Sequence, residues 1–326
     1  MNTRALLLGL GIAAVALTGA GLAGTGLAGA AWTIAPRAVA APNPDARASF
    51  QPPPDSAIPK GKFGDVVRLG ENIFREPATY APQYVGNDLR CSNCHLQAGR
   101  QAGSAPMWSA YVSYPAYRSK NGHVNSFQER LQGCFRYSMN GKVPPLGDKV
   151  LAALESYAYF LATGLPTGIK PAGAGFPKLA KPAEKPDYAR GAAVYAQHCA
   201  ACHGGDGQGR YSDGKVVFPP IWGARSYNWG AGMTSIASAA AFIHANMPFG
   251  LGGTLTAQQS WDVAQFIDSQ VRPQDPRFNG DVAATRKLYD NSASSMYGMM
   301  VNGVLLGDPA HTPPAGTVPA ATGAGK

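Results

Sequence analysis

Cys91-Ser92-Asn93-Cys94-His95 and Cys199-Ala200-Ala201-Cys202-His203 are two copies of one pattern, Cys-x-x-Cys-His, in a chain of 326 residues. That spacing reads as c-type haem attachment: both thiols add to haem vinyl groups and the adjacent imidazole reaches the iron. Zinc would need a tetrahedral set of ligands for each pair. One spare cysteine, Cys134, and four other histidines remain, with no spacing that supplies one.

The two sites lie 108 residues apart, and the same shift lays Met139 on Met247. It also overlays two helical patterns. One opens at Leu146-Gly147-Asp148 and carries Val150, Leu151, Leu154, Tyr157 and Leu161 on one side, ending at Gly164. The other is capped by Thr256, carries Trp261, Val263, Ala264 and Ile267, and ends before Pro273. Ahead of each haem site lies a helix containing a glycine, Gly70 or Gly191, where a terminal helix can cross closely. Helix, haem site, ligand loop and terminal helix is the order of a class I cytochrome c domain. The expected fold is mainly α, with two tandem class I cytochrome c domains at 61–165 and 187–272 joined by a Pro-rich linker, 166–186. The first copy has 13 extra residues between its glycine and its haem site, 21 from Gly70 to Cys91 against 8 from Gly191 to Cys199.

The ends read differently. Residues 1–40, apolar and small from Ala5 to Ala31 with Ala38-Val39-Ala40 as a cleavage site, are expected to be a secretory signal peptide. Membrane contact follows only if that segment stays uncleaved. Residues 41–60 are a Pro-rich tether, 273–306 an extension with a helix from Val282 to Leu288, and 307–326 a disordered tail. Export fits haem attachment and predicts a periplasmic protein.

The formal charge is +9. Residues 61–165 hold 11 Lys/Arg and 7 Asp/Glu, whereas 187–272 hold five of each. A solvated face, counter-charge for haem propionates and an anion-binding cleft in the first domain all fit. Nucleic acid is excluded as a partner, since no basic helix or RNA-binding signature accompanies the charge. For the second haem, Met247 in Asn246-Met247-Pro248-Phe249-Gly250 is the expected sixth ligand, with Met233 and His244 as rivals. For the first, spacing favours Met139 and the basic surroundings favour Cys134. In an α-helix five residues turn through about 140°, so the two could not both face the iron. These residues alone leave that choice open.

The runs Cys91–Arg100, Ala105–Trp108, Tyr114–Arg118, Phe127–Cys134 and Ser138–Gly141, above all Arg-x-x-x-Cys-x-x-x-Ser-Met-Asn-Gly, resemble the dihaem thiosulfate dehydrogenases over roughly 60–275. The resemblance implies two covalently bound haem c groups, with His95 and Cys134 on the catalytic iron and His203 and Met247 on a relay iron. Relatives with lysine as the relay ligand carry it one position before the methionine, where this chain has Asn246. It implies joining two thiosulfates into tetrathionate, or the reverse, with electrons exchanged with a small cytochrome c or an iron–sulfur protein. Arg118, Arg130 and Arg136, with Ser138 and Asn140, would hold the sulfonates. Cys134 would attack a sulfur and form a Cys–S–sulfonate adduct. Two other readings compete. One is a plain dihaem electron carrier with Met139 as ligand; the other is a haem subunit of a sulfur-oxidising complex that loads thiosulfate onto a carrier protein.

Overall fold

Gly70 and Gly191 are the points on which the two halves are built. The computed structural model describes residues 50–314. In the first half, helix Lys62–Arg75 buries Gly64, Val67, Gly70, Ile73 and Phe74, one face at helical spacing. It crosses helix Lys149–Leu161, which Asp148 starts by accepting a bond from the Val150 N–H (2.8 Å). A Cβ on Gly70 would lie 2.0 Å from the Ala153 carbonyl oxygen. In the second half, helix Tyr188–His198 crosses helix Ala257–Asp268, which opens on a capping box of Thr256 and Gln259. There a Cβ on Gly191 would lie 2.0 Å from the Asp262 carbonyl oxygen. Any side chain at either glycine would force the helices apart.

Two hydrophobic cores result, centred on these crossings, and they interlock. Tyr227 and Ala231 join the first core, and Leu96 joins the second. Segments expected as connectors instead lie on the body. Phe50 stacks on Trp108 at 5.4 Å, and Arg100 bonds the Pro53 carbonyl and Asp55, so residues 50–60 pack against the first half. Linker carbonyls of Gly173 and Gly175 accept from Gly103 and Ala105 (2.8 and 2.9 Å), and Ala180 accepts from Trp261 Nε1 (2.9 Å). The expected helix of the extension is present as Val282–Tyr289, and Met296, Tyr297 and Leu306 enter the second core. Residues 1–49 and 315–326, which include the signal segment, lie outside the described residues.

The first half's insertion folds as a short helix, Pro77–Tyr80, and a 3-10 turn, Pro82–Tyr84. Its end packs on the Asn140-Gly141 turn: a Cβ on Gly86 would lie 2.0 Å from the Asn140 oxygen, and one on Gly141 would lie 2.0 Å from the Tyr84 oxygen.

Candidate active site

Both haem-attachment histidines are fixed in the same way. His95 Nδ1 lies 2.6 Å from the Ala105 carbonyl and His203 Nδ1 lies 2.9 Å from the Pro219 carbonyl. A carbonyl accepts only, so Nδ1 carries the proton and Nε2 is left for a metal. Burial lowers both imidazole pKa values, that of His95 to about 4, which keeps the rings neutral as ligation needs. Cys91, Cys94 and His95 share one cavity with the apolar side chains of Phe74, Leu89, Met107, Leu131, Phe135 and Leu154. Between the halves, Trp229 Nε1 and Arg272 Nε and Nη1 are buried without a hydrogen-bond partner among the described residues. Orphaned buried donors are rare in folded proteins. Asp268, 3.6 Å from Arg272, is pushed up to about 7 by burial. Arg272 also lies over the Tyr227 ring (4.5 Å), and Tyr227 lines the cavity. Paired thiols, a tethered imidazole, apolar walls and buried donors left without hydrogen-bond partners fit a haem and its propionates.

Helix Phe127–Gly133, started by a Ser126–Glu129 capping box, runs directly into a π turn, Cys134–Ser138. The Met139 N–H bonds the Cys134 carbonyl at 2.9 Å, an i→i+5 link. This overturns the expectation that Cys134 and Met139 face apart. Because the turn is wider than an α turn, residue i+5 sits above residue i, and both side chains line the cavity of His95. Arg130 Nη1 donates to Cys134 Sγ at 3.3 Å. The Cys134 sulfur raises the guanidinium pKa further, against the effect of burial, so Arg130 stays a cation beside it.

The other expected anion ligands divide. Ser138 lines the cavity; Arg118 and Arg136 are exposed and are not among its lining residues. Arg118 sits on the hairpin Ala116–Arg118/His123–Asn125, and Arg136 lies 5.7 Å from the Tyr137 ring centre. Asn140 takes a positive φ of 45° and its Oδ1 accepts from Asn228 Nδ2 (2.9 Å), so its carbonyl end is committed to structure. Residues missed in the sequence come from elsewhere. Arg90 lines the cavity and Tyr227 reaches it from the second half, as does Met233, expected only as a rival ligand for the second haem. Buried Asn228 also bonds the Arg136 carbonyl (2.9 Å), and Asn87 bonds that of Ser138 (2.8 Å). A single asparagine in a loop carries no pattern that announces such a role.

In the second half, Met247 follows helix Ile236–Asn246 directly and packs against the second core. Asn246 is buried, accepting from Gln101 Nε2 (2.8 Å) and donating to the Phe242 carbonyl (3.0 Å). Met233 lies at the first cavity, and His244 Nδ1 faces Ser260 Oγ at 3.5 Å.

Residues 186–267, most of the second haem region, match the family of cytochrome c oxidase, cbb3-type, subunit III. The chain is 58% identical over 261 residues to thiosulfate dehydrogenase of Thiomonas intermedia, covering 80% of this chain and 83% of that one. It is 49% identical over 260 residues to thiosulfate dehydrogenase of Stutzerimonas stutzeri, covering 79% and 85%. The solved thiosulfate dehydrogenase (TsdBA) of Marichromatium purpuratum, as isolated, has a TM-score of 0.78 and 50% identity, covering 81% of this chain. This chain spans 58% of the length of that solved chain. Identity of this depth over about four-fifths of the chain places it in the thiosulfate dehydrogenase family of haem c proteins.

Proposed function

We propose that this enzyme is periplasmic, carries two covalently bound haem c groups, and couples two thiosulfates into tetrathionate. The observation that carries the reading is Cys134 Sγ, held by Arg130 at 3.3 Å, on the wall of the cavity that contains Cys91, Cys94 and His95. Cys91 and Cys94 would hold the first haem, and His95 and Cys134 would ligate its iron. Cys199 and Cys202 would hold the second with His203 and Met247. When bound, the haems would supply one-electron acceptors, and the electrons would leave through the second half to a small cytochrome c or an iron–sulfur protein.

The chain's own groups do the sulfur chemistry. Arg130 stabilises the Cys134 thiolate and offsets the charge of an incoming dianion. The thiolate and the terminal sulfur of one thiosulfate form an S–S bond, giving Cys–S–S–sulfonate and releasing two electrons. A second thiosulfate attacks the sulfur that bears the sulfonate; that bond forms, the bond to Cys134 breaks, and tetrathionate leaves with the thiolate restored. No proton is exchanged. Ser138, on the cavity wall, donates to a sulfonate oxygen. The test is tetrathionate formation, and its reversal, by purified protein with an artificial acceptor or donor, wild type beside Cys134→Ser. Activity in wild type and loss in the variant support the reading; full activity in Cys134→Ser would overturn it.

A further inference from the structure

We infer that Met139 is an alternative ligand for the iron of the first haem, poised to replace Cys134 whenever Cys134 is off it. The inference rests on the proposed function in one respect: a sulfur bound to iron and a sulfur attacking thiosulfate cannot be one atom in one state. While Cys134 carries a sulfonate adduct it no longer offers a thiolate, and a position on the iron is open to another ligand.

Three observations assign that position to Met139. It is 2% exposed and lines the same cavity as Cys134, one wide turn further along the same element. The carbonyls of that turn are pinned in sequence: Arg136 by Asn228 Nδ2 (2.9 Å), Tyr137 by the Asn228 N–H (3.2 Å), Ser138 by Asn87 Nδ2 (2.8 Å) and Met139 by the Gly86 N–H (3.0 Å). Both asparagines are buried, so exchange of ligand proceeds by side-chain rotation on a fixed backbone. A thioether on an unbranched stem is suited to that motion. The other methionines of the cavity come from different places. Met107 packs on Gly99, just past His95, where a Cβ on that glycine would lie 2.5 Å from the Met107 Cγ. Met233 belongs to the turn Gly232–Thr234 of the second half. Met139 alone shares the element of Cys134.

The test is spectroscopic and uses the full haem-loaded protein. Thioether ligation of ferric haem is read by its charge-transfer absorption, and thiolate ligation by electron paramagnetic resonance. Oxidised wild type should give a thiolate signal for the first haem and a thioether band from the second. Cys134→Ala should raise the thioether band about twofold, from one haem to two. Adding Met139→Leu should return it to one haem's worth and leave the first haem high-spin, whereas adding Met233→Leu should not. A Cys134→Ala protein without the extra band, or one whose band survives Met139→Leu, overturns the inference. Thioether signals from both haems in wild type, with no thiolate, would instead overturn Cys134 as ligand and with it the proposed function.

Discussion

The two halves share a helix crossing, a haem-attachment motif and an anchored imidazole, and they part company on the far side of the haem pocket. In the second half Met247, the proposed ligand, simply follows a helix, between Asn246 and Pro248. In the first, the sulfur sits on a π turn whose carbonyls are gripped from two directions. The insertion supplies Gly86 and Asn87, and the second half supplies Asn228. A relay ligand needs only to stay on its iron. A sulfur that must also react needs a turn wide enough to bring two side chains to one cavity, and extra chain to keep that turn from relaxing. The 13 residues that distinguish the halves are used for this support. The second half thus acts on the first as a brace.

The comparison breaks most visibly at Cys134. Cys134→Ser should lower tetrathionate formation by about a thousandfold or more, since it removes the nucleophile itself. Reduction of the second haem by an external donor should be unchanged, and residual turnover above that level would mean the sulfur chemistry lies elsewhere. Arg130→Lys comes next. It keeps the charge but loses the planar donor at 3.3 Å from Sγ. A hydrogen bond to a charged group is worth about 1.5–3 kcal/mol, so kcat/KM should fall about 10- to 150-fold. Arg118→Lys and Arg136→Lys, at exposed positions, should change it far less; an equal loss at all three would restore the wider arginine cleft expected from charge alone.

Much of this architecture is legible in the chain because it depends on local signals. Thiol spacing marks the haem sites, and a glycine inside an otherwise good helix marks each close crossing. Thr256 with Gln259 and Asp148 mark the starts of the terminal helices. The π turn is not legible, because an i→i+5 bond leaves no hydrophobic period to read. Reading the segment as an α-helix therefore separated Cys134 from Met139 wrongly. Nor can composition separate Arg130, held against a sulfur, from Arg118 and Arg136, which face solvent. The grip of Asn228 on residues 136–140 spans about 90 positions of sequence and appears only when the halves are docked.

The glycine crossings test what the halves have in common. Gly70→Ala and Gly191→Ala each place a methyl group 2.0 Å from a backbone oxygen that cannot move without its helix. Overpacking of this kind costs about 1–3 kcal/mol. Thermal unfolding should show similar losses for the two variants. A large loss at one and none at the other would show that the crossings are not equivalent.

The smallest expected effect concerns what the crossings do not share. Where Gly70 meets Ala153, the corresponding helix of the second half carries Asp262, whose side chain is 3% exposed. Burial alone would raise the Asp262 pKa. Bonds from Arg190 (2.8 and 3.0 Å), the Asp187 N–H (2.9 Å) and Gln258 (3.0 Å) outweigh it, and the pKa falls below the ordinary value. A carboxylate with a depressed folded pKa stabilises above its unfolded pKa, near 4, and that contribution is lost as pH falls through the folded value. Arg190 is 43% exposed, so solvent screening keeps the contribution of the pair small. Asp262→Asn should therefore lower the melting temperature slightly at pH 7 and hardly at all below pH 3, with the loss of the Met247 thioether band reporting the second half. A deficit in Asp262→Asn that persists undiminished in acid would assign the role of Asp262 to packing and its neutral hydrogen bonds, and leave the two crossings alike in charge as well as in shape.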